Sequence, residues 1–213
     1  MIGQSDDEGG EVSVRQPVTA DDVARAVQLV VETLGKGDSR DWSVPAGDLE
    51  WTCRYTASHL AGCLVSYASL LAVRARDRWL GYRPAIGDDT APAAMLEFIL
   101  AGGLVLATVI RACGPDVRAY HPYGTSDPEG FAGMACVEVL VHGHDIAGGL
   151  GLTLDPPADL CARVVARMFP DVAADTPGID PWKLLRYATG RVTLPGRPRV
   201  APDWRWRGAP LAD

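Results

Sequence analysis

The sequence predicts an all-α protein, an up-and-down four-helix bundle carrying a short C-terminal extension of helical and irregular segments. Three observations predict it. Apolar residues recur at three- and four-residue spacing over four segments of helical length, Pro and Gly punctuate the chain at their ends, and no stretch shows the sustained alternation of a half-buried strand. Amphipathic helices must bury their apolar stripes, and four of them do so as a bundle.

The first helix opens at Thr19-Ala-Asp-Asp22, a cap followed by first-turn acids. Val23, Ala26, Val27, Val30, Val31 and Leu34 then repeat on one face until Gly35. The second helix is expected from about Tyr55 to Trp79, stopping before Gly81 and Pro84. The third runs from about Pro92 to Ala112 and ends at Gly114-Pro115. A linker over about 115–125 follows. Asp127-Pro128-Glu129 then supplies an N-cap, a proline at the first helical position and a first-turn acid, so helix four spans about 128 to Gly148 or Gly149. Asp155-Pro156 starts a short helix to about Phe169, and Pro181 to Ala188 suggests another. Residues 1–17 are expected as a flexible tail, 18–150 as the bundle with its site, and 151–213 as an extension packed on it.

Composition narrows the function. A chain of 213 residues with 47% apolar content buries one substantial core. The formal charge of −7 and pI near 5.1, with no Lys/Arg cluster, argue against a nucleic-acid partner. Five scattered cysteines without a C-x-x-C pair read as reduced thiols. The acidic amino terminus lacks the order of a secretory signal, and the apolar stretches at 59–73 and 98–110 are too short or too interrupted for a membrane span. A cytoplasmic location with no membrane partner is expected, and a homodimer is left open.

The chemistry is concentrated in helix four. Glu138 and His142 are spaced i, i+4 within Phe131-Ala-Gly-Met-Ala-Cys-Val-Glu-Val-Leu-Val-His-Gly-His-Asp145, so both heads point at one spot. Their face also carries Phe131, Met134, Ala135, Val141 and Asp145, which marks it as the buried side. A lone carboxylate there costs several kcal/mol or stays protonated, a difficulty that a bound cation removes. Upstream, His59 lies near the start of the second helix, where it can face the first pair. Two imidazoles and one carboxylate from two helices leave an open coordination position, as in catalytic zinc sites. Ligand type suits zinc best, with nickel, iron and manganese also open.

Trp51 followed by His59-Leu60 and then Glu138-x-x-x-His142-x-x-Asp145 resembles the DinB-like metalloenzymes, in the branch of mycothiol-dependent maleylpyruvate isomerases and thiol S-transferases. The similarity covers about residues 19 to 150 and is echoed in Trp182 to Arg191. It implies a divalent metal on His59, Glu138 and His142, a catalytic role for Asp145, and mycothiol as cosubstrate. Between His142 and Asp145 the family usually has an aromatic, where this chain has His144. The isomerases also carry a larger C-terminal domain that contributes an arginine, whereas only 151–213 follow Leu150. Arg186, Arg191, Arg197, Arg199, Arg205 and Arg207 are the substitutes on offer.

The expected chemistry follows from the ligand set. A thiol entering the open position loses its proton near neutral pH, and the thiolate attacks an electrophilic small molecule. Addition, rotation and elimination give isomerisation, and addition with loss of a leaving group gives S-transfer. The shorter C-terminal part favours the transferase. Two alternatives stand beside it: a hydrolase in which the metal activates water, and a non-catalytic, metal-stabilised binding or dimerisation module.

Each residue also has a structural reading. Glu138 with His142 is compatible with a buried hydrogen-bonded pair, and Asp145 with an acceptor that orients an imidazole. His144 turns away from His142, and His121 reads as a turn residue before Pro122, with a pocket entrance lined by Tyr120, His121 and Tyr123 as the alternative. Cys63 reads as a small core residue one turn from His59. Trp51 reads as a packing anchor ahead of a substrate platform, and Trp204 with Trp206 as tail-docking residues ahead of a lid over the pocket.

Overall fold

The computed structural model describes residues 15–81 and 84–211. Of the tail expected over 1–17, residues 1–14 lie outside this range; Arg15, at its described end, donates to both carboxylate oxygens of Glu129, at 2.5 and 2.9 Å.

Among the described residues there are seven helices: α1 Ala20–Gly35, α2 Cys53–Val73, α3 Pro92–Ala112, α4 Pro128–Gly149, α5 Ala158–Met168, α6 Pro170–Asp175 and α7 Pro181–Ala188. Among the described residues there is no strand, only the isolated bridges Pro45 to Thr52 and Ala119 to Ser126. The all-α bundle expected from periodicity is therefore the fold.

Local chemistry sets the helix ends. Thr19 and Asp22 form a reciprocal capping box on α1, each side chain meeting the other's backbone N–H. Thr52 caps α2 by accepting from Tyr55 N, and Asp127 caps α4 by accepting from Gly130 N at 2.7 Å. Proline begins α3, α4 and α7, where its missing N–H is not needed.

The second helix ends six residues before the expected Trp79. Arg74 takes a left-handed conformation, φ 52°, and its N–H bonds back to Leu71 O. The segment Arg76-Asp-Arg78 beyond it has no apolar face to bury and is exposed. Trp79 nevertheless returns to the core edge, with its ring 6.4 Å from Tyr67. Pro170 stops α5 and starts the short α6, which periodicity did not reveal.

Around the bundle axis the helices run in the order α1, α3, α2, α4. Packing is most extensive between α2 and α3, α1 and α3, α1 and α4, and α2 and α4, so α1 and α2 sit on opposite corners. This order places α2 beside α4, which is what the site requires. α2 and α3 are each 21 residues and apolar enough to cross a membrane by length and composition, and here both pack within the bundle.

The loop between α1 and α2 folds over the end of α4. Trp42 is buried and donates its indole N–H to Gly37 O, while Ala46 N bonds to Trp51 O. At Gly149 any side chain would collide with this loop: a Cβ there would lie 2.2 Å from Pro45 O. The glycine therefore lets the loop close down beside Asp145 and Trp51.

The extension 151–211 packs through α5 on α4 and through α7 on α5. Its anchor is Arg167, which is fully buried. Its guanidinium donates to Asp127 Oδ1 at 2.9 Å and to Arg207 O at 3.1 Å, joining the cap of α4 to the tail. Gly130 makes room for it, since a Cβ there would meet Arg167 Nη2 at 2.5 Å.

Removing Asp127 deprives this buried cation of its closest carboxylate and α4 of its cap. Asp127→Ala should therefore lower unfolding free energy by about 3–5 kcal/mol in denaturant titrations, beyond the roughly 1 kcal/mol of a lost cap alone. A loss confined to about 1 kcal/mol would mean that Glu129, 3.8 Å away, suffices for the guanidinium.

Candidate metal centre

Glu138 lies in the middle of α4, where 17 of the helix residues are buried. Its carboxylate is itself buried and is met from three sides. His142 Nε2 stands 3.2 Å from Glu138 Oε2, His59 Nε2 stands 3.6 Å from the same oxygen, and the fully enclosed Tyr67 donates its hydroxyl to Oε1 at 3.3 Å. His142 comes from the next turn of α4 and the other two from α2. The i, i+4 spacing and the α2–α4 packing thus act together.

The sequence-expected trio His59, Glu138 and His142 is therefore brought to one place, with both imidazoles aimed at one oxygen. A further donor joins them. Cys63, one turn after His59 on α2, has its Sγ 3.5 Å from His59 Nε2. The donor atoms of His59, Cys63 and Glu138 lie within 4.8 Å of one another. The thiol is half-buried beside the centre, so the core reading of Cys63 gives way to one in which it faces the site.

Asp145 sits on the far side of His142. Its Oδ2 accepts from His142 Nδ1 at 3.2 Å, which orients the ring and leaves Nε2 for Glu138. The same carboxylate accepts from Arg191 Nε at 3.3 Å and Nη2 at 2.8 Å, while Arg191 Nη1 is held by Thr189 O. Of the six candidate arginines named from the sequence, Arg191 is the one that lines the cavity with His59, Glu138 and His142. Sequence reading could not choose it, because the choice depends on how α7 docks. A left-handed Gly190, φ 75°, is the local signal that the chain turns sharply just before it.

His144 packs edge-on to Trp182 of α7 with ring centroids 5.5 Å apart, away from the donors. Trp51 departs from the expected anchoring role: it is 40% exposed and covers both imidazoles, 5.0 Å from the His59 ring and 6.2 Å from that of His142. His121 is buried rather than a plain turn residue. It accepts from Tyr123 N and lies among the rings of Tyr67, Trp79 and Trp206.

The cavity over the donors measures about 270 Å³ and is closed by Tyr123, Pro202, Trp204 and Trp206. The tail thus forms a wall of the site as well as docking on the bundle. A larger space of about 750 Å³ continues past Arg191 and Asp145 toward Asp48 and Arg199.

Electrostatics match this geometry. Burial would raise the Glu138 carboxyl, but hydrogen bonds from His142 and His59 override it and hold the group well below the ordinary carboxylate range. Burial opposes charge on His142 too, yet Asp145 and Glu138 raise its pKa to about 9. Burial, reinforced by Glu138, pushes the Cys63 thiol up. Two imidazoles around a buried, charged carboxylate make a donor set that fits a divalent ion, which would replace the proton held on His142.

The metal-free protein therefore carries a charged His142 whose stabilising contribution is complete below about pH 6.5 and is lost as pH rises through about 9. Its unfolding free energy should fall across that window, and His142→Gln should flatten the slope. Zinc affinity should rise over the same window as the competing proton leaves. Titration of metal-free protein by denaturant at several pH values checks this; an unchanged slope in the variant would discount His142 as its source.

Residues 21–147 match the family model of the mycothiol maleylpyruvate isomerase N-terminal domain. No curated protein and no solved structure shows a significant match to the chain. The matched span begins in α1 and ends in the last turn of α4, so it contains all four bundle helices together with His59, Cys63, Glu138, His142 and Asp145. With its helical fold and its donor cluster, the chain belongs to the mycothiol maleylpyruvate isomerase N-terminal domain family, a mycothiol-related branch of the DinB-like proteins.

Proposed function

We propose that this protein is a metal-dependent enzyme that uses a small thiol, mycothiol by family, to attack an electrophilic small molecule. The observation that carries the reading is the convergence of His59 Nε2 and His142 Nε2 on one buried oxygen of Glu138 at the floor of a cavity that Arg191 also lines. His59, Glu138 and His142 would hold the ion, zinc being the best match to imidazole and carboxylate donors. A bound divalent cation supplies the positive charge that keeps a thiol deprotonated near neutral pH.

The chain's own residues supply the rest. Asp145 is a positioning residue: it fixes the His142 ring through Nδ1 and holds the Arg191 guanidinium at the cavity wall. Arg191 presents a fixed cation to an anionic substrate, and a carboxylate on the electrophile is its natural partner. Tyr67 keeps Glu138 oriented through its hydroxyl. Trp51, Tyr123, Trp204 and Trp206 limit water around the reacting atoms. In S-transfer the thiolate sulfur forms a bond to carbon and the leaving group departs with its electron pair. In isomerisation the sulfur adds to a conjugated double bond, the former double bond rotates, and the same sulfur is expelled. The five free cysteines suit a reducing, cytoplasmic setting.

His59→Ala, Glu138→Ala and His142→Ala should each cut bound metal, measured by elemental analysis, by about tenfold or more, whereas His144→Ala should keep it. Equal metal in all four would overturn the ligand set. Arg191→Ala should lower turnover with a carboxylate-bearing electrophile by about tenfold or more while metal is retained. Product formation at full rate with no thiol added would replace this reading by hydrolysis.

A further inference from the structure

We propose that Cys63 is an additional ligand of the ion, a resident sulfur that occupies the position an incoming thiol must take. The inference rests on the thiol-dependent reading for its second half and on geometry for its first.

Cys63 and His59 are one turn apart on the same face of α2, so any ion reached by His59 lies within reach of the sulfur. A tetrahedral zinc site with Zn–N of about 2.0–2.1 Å and Zn–S of about 2.3 Å has an N···S edge of about 3.5 Å and N···O edges of about 3.4 Å. The Cys63 Sγ to His59 Nε2 separation is 3.5 Å, and the two histidine nitrogens stand 3.6 and 3.2 Å from Glu138 Oε2. These three separations match edges of such a site, while His142 lies outside the set of donors that are mutually within 4.8 Å. The donors that lie mutually within 4.8 Å are His59, Cys63 and Glu138, so the sulfur belongs to the tightest part of the cluster.

The other cysteines do not share this setting. Cys53 Sγ faces the carbonyls of Pro45 and Ile146, Cys136 and Cys161 are enclosed in the core, and Cys113 ends α3. Cys63 also borders a space of about 410 Å³ that reaches His59 and Glu138 and is walled by Trp79, His121, Tyr123 and Trp206.

Two consequences follow. A thiolate in the donor set favours thiophilic ions such as zinc over magnesium or manganese. The cosubstrate thiol must also displace Cys63, whose sulfur takes back a proton as the incoming thiol gives one up. The exchange is balanced in charge and protons, and it keeps the ion capped until the thiol arrives.

Cobalt(II)-loaded full-length protein provides the test, because a cobalt–thiolate bond gives an intense near-ultraviolet charge-transfer band. With no thiol added, the native chain should show the band and Cys63→Ala and Cys63→Ser should lose it, with visible cobalt bands retained. The same spectrum in all three would overturn the assignment. Adding a small thiol to Cys63→Ala should restore a band. Failure there counts against the thiol-dependent function and leaves the Cys63 assignment standing. Should the variants not fold, alkylation of native protein decides: zinc should slow modification of Cys63 by about tenfold or more and chelation should reverse this, whereas equal rates refute the ligand role.

Discussion

One buried carboxylate organises this molecule. Glu138 occupies the centre of a helix that is almost entirely enclosed, and a bare negative charge there is not tolerated. Every group around it answers that constraint. His142 comes from the same helix, and His59 and Tyr67 come from the helix alongside. The hydrogen bonds outweigh the burial that would otherwise neutralise the acid. A divalent ion would satisfy the same requirement with fewer protons, so structural need and the proposed catalytic use coincide at one oxygen.

The surrounding shell extends this logic outward. Asp145 orients His142 and is balanced by Arg191, which comes from the extension beyond the matched family span. The extension is held in turn by Arg167, buried between the cap of α4 and the tail. Charge complementarity thus runs from the donor cluster through the end of α4 to the C-terminal segment. The tail's Trp204 and Trp206 close the cavity only because this chain of contacts docks them there. Fold stability and site enclosure are consequently linked.

Where sequence reading departed from the structure, the departures have physical causes. The second helix ended early because Arg74 adopts a left-handed conformation and the polar residues after it have nothing to bury. α6 is too short to show a period. Cys63 looked like filler because a small thiol on an apolar helix normally is filler; only the position of the facing helix turns it toward Glu138. His121 and Trp51 were placed in loops, where local pattern carries no information about what the loop folds onto.

The sequence by itself determined the helical class, the caps and prolines that delimit α1, α3, α4 and α7, and the pairing of Glu138 with His142. These rest on interactions within a few residues, and the chain encodes them directly through spacing. Tertiary structure alone decided that α2 as well as α1 stands beside α4, which brings His59 to Glu138, and that Arg191 rather than another arginine reaches Asp145. It also decided that Cys63 joins the donor cluster. Those outcomes depend on the packing order of helices and on the docking of a distant segment, which are set by the summed burial of many side chains and leave no short-range signature.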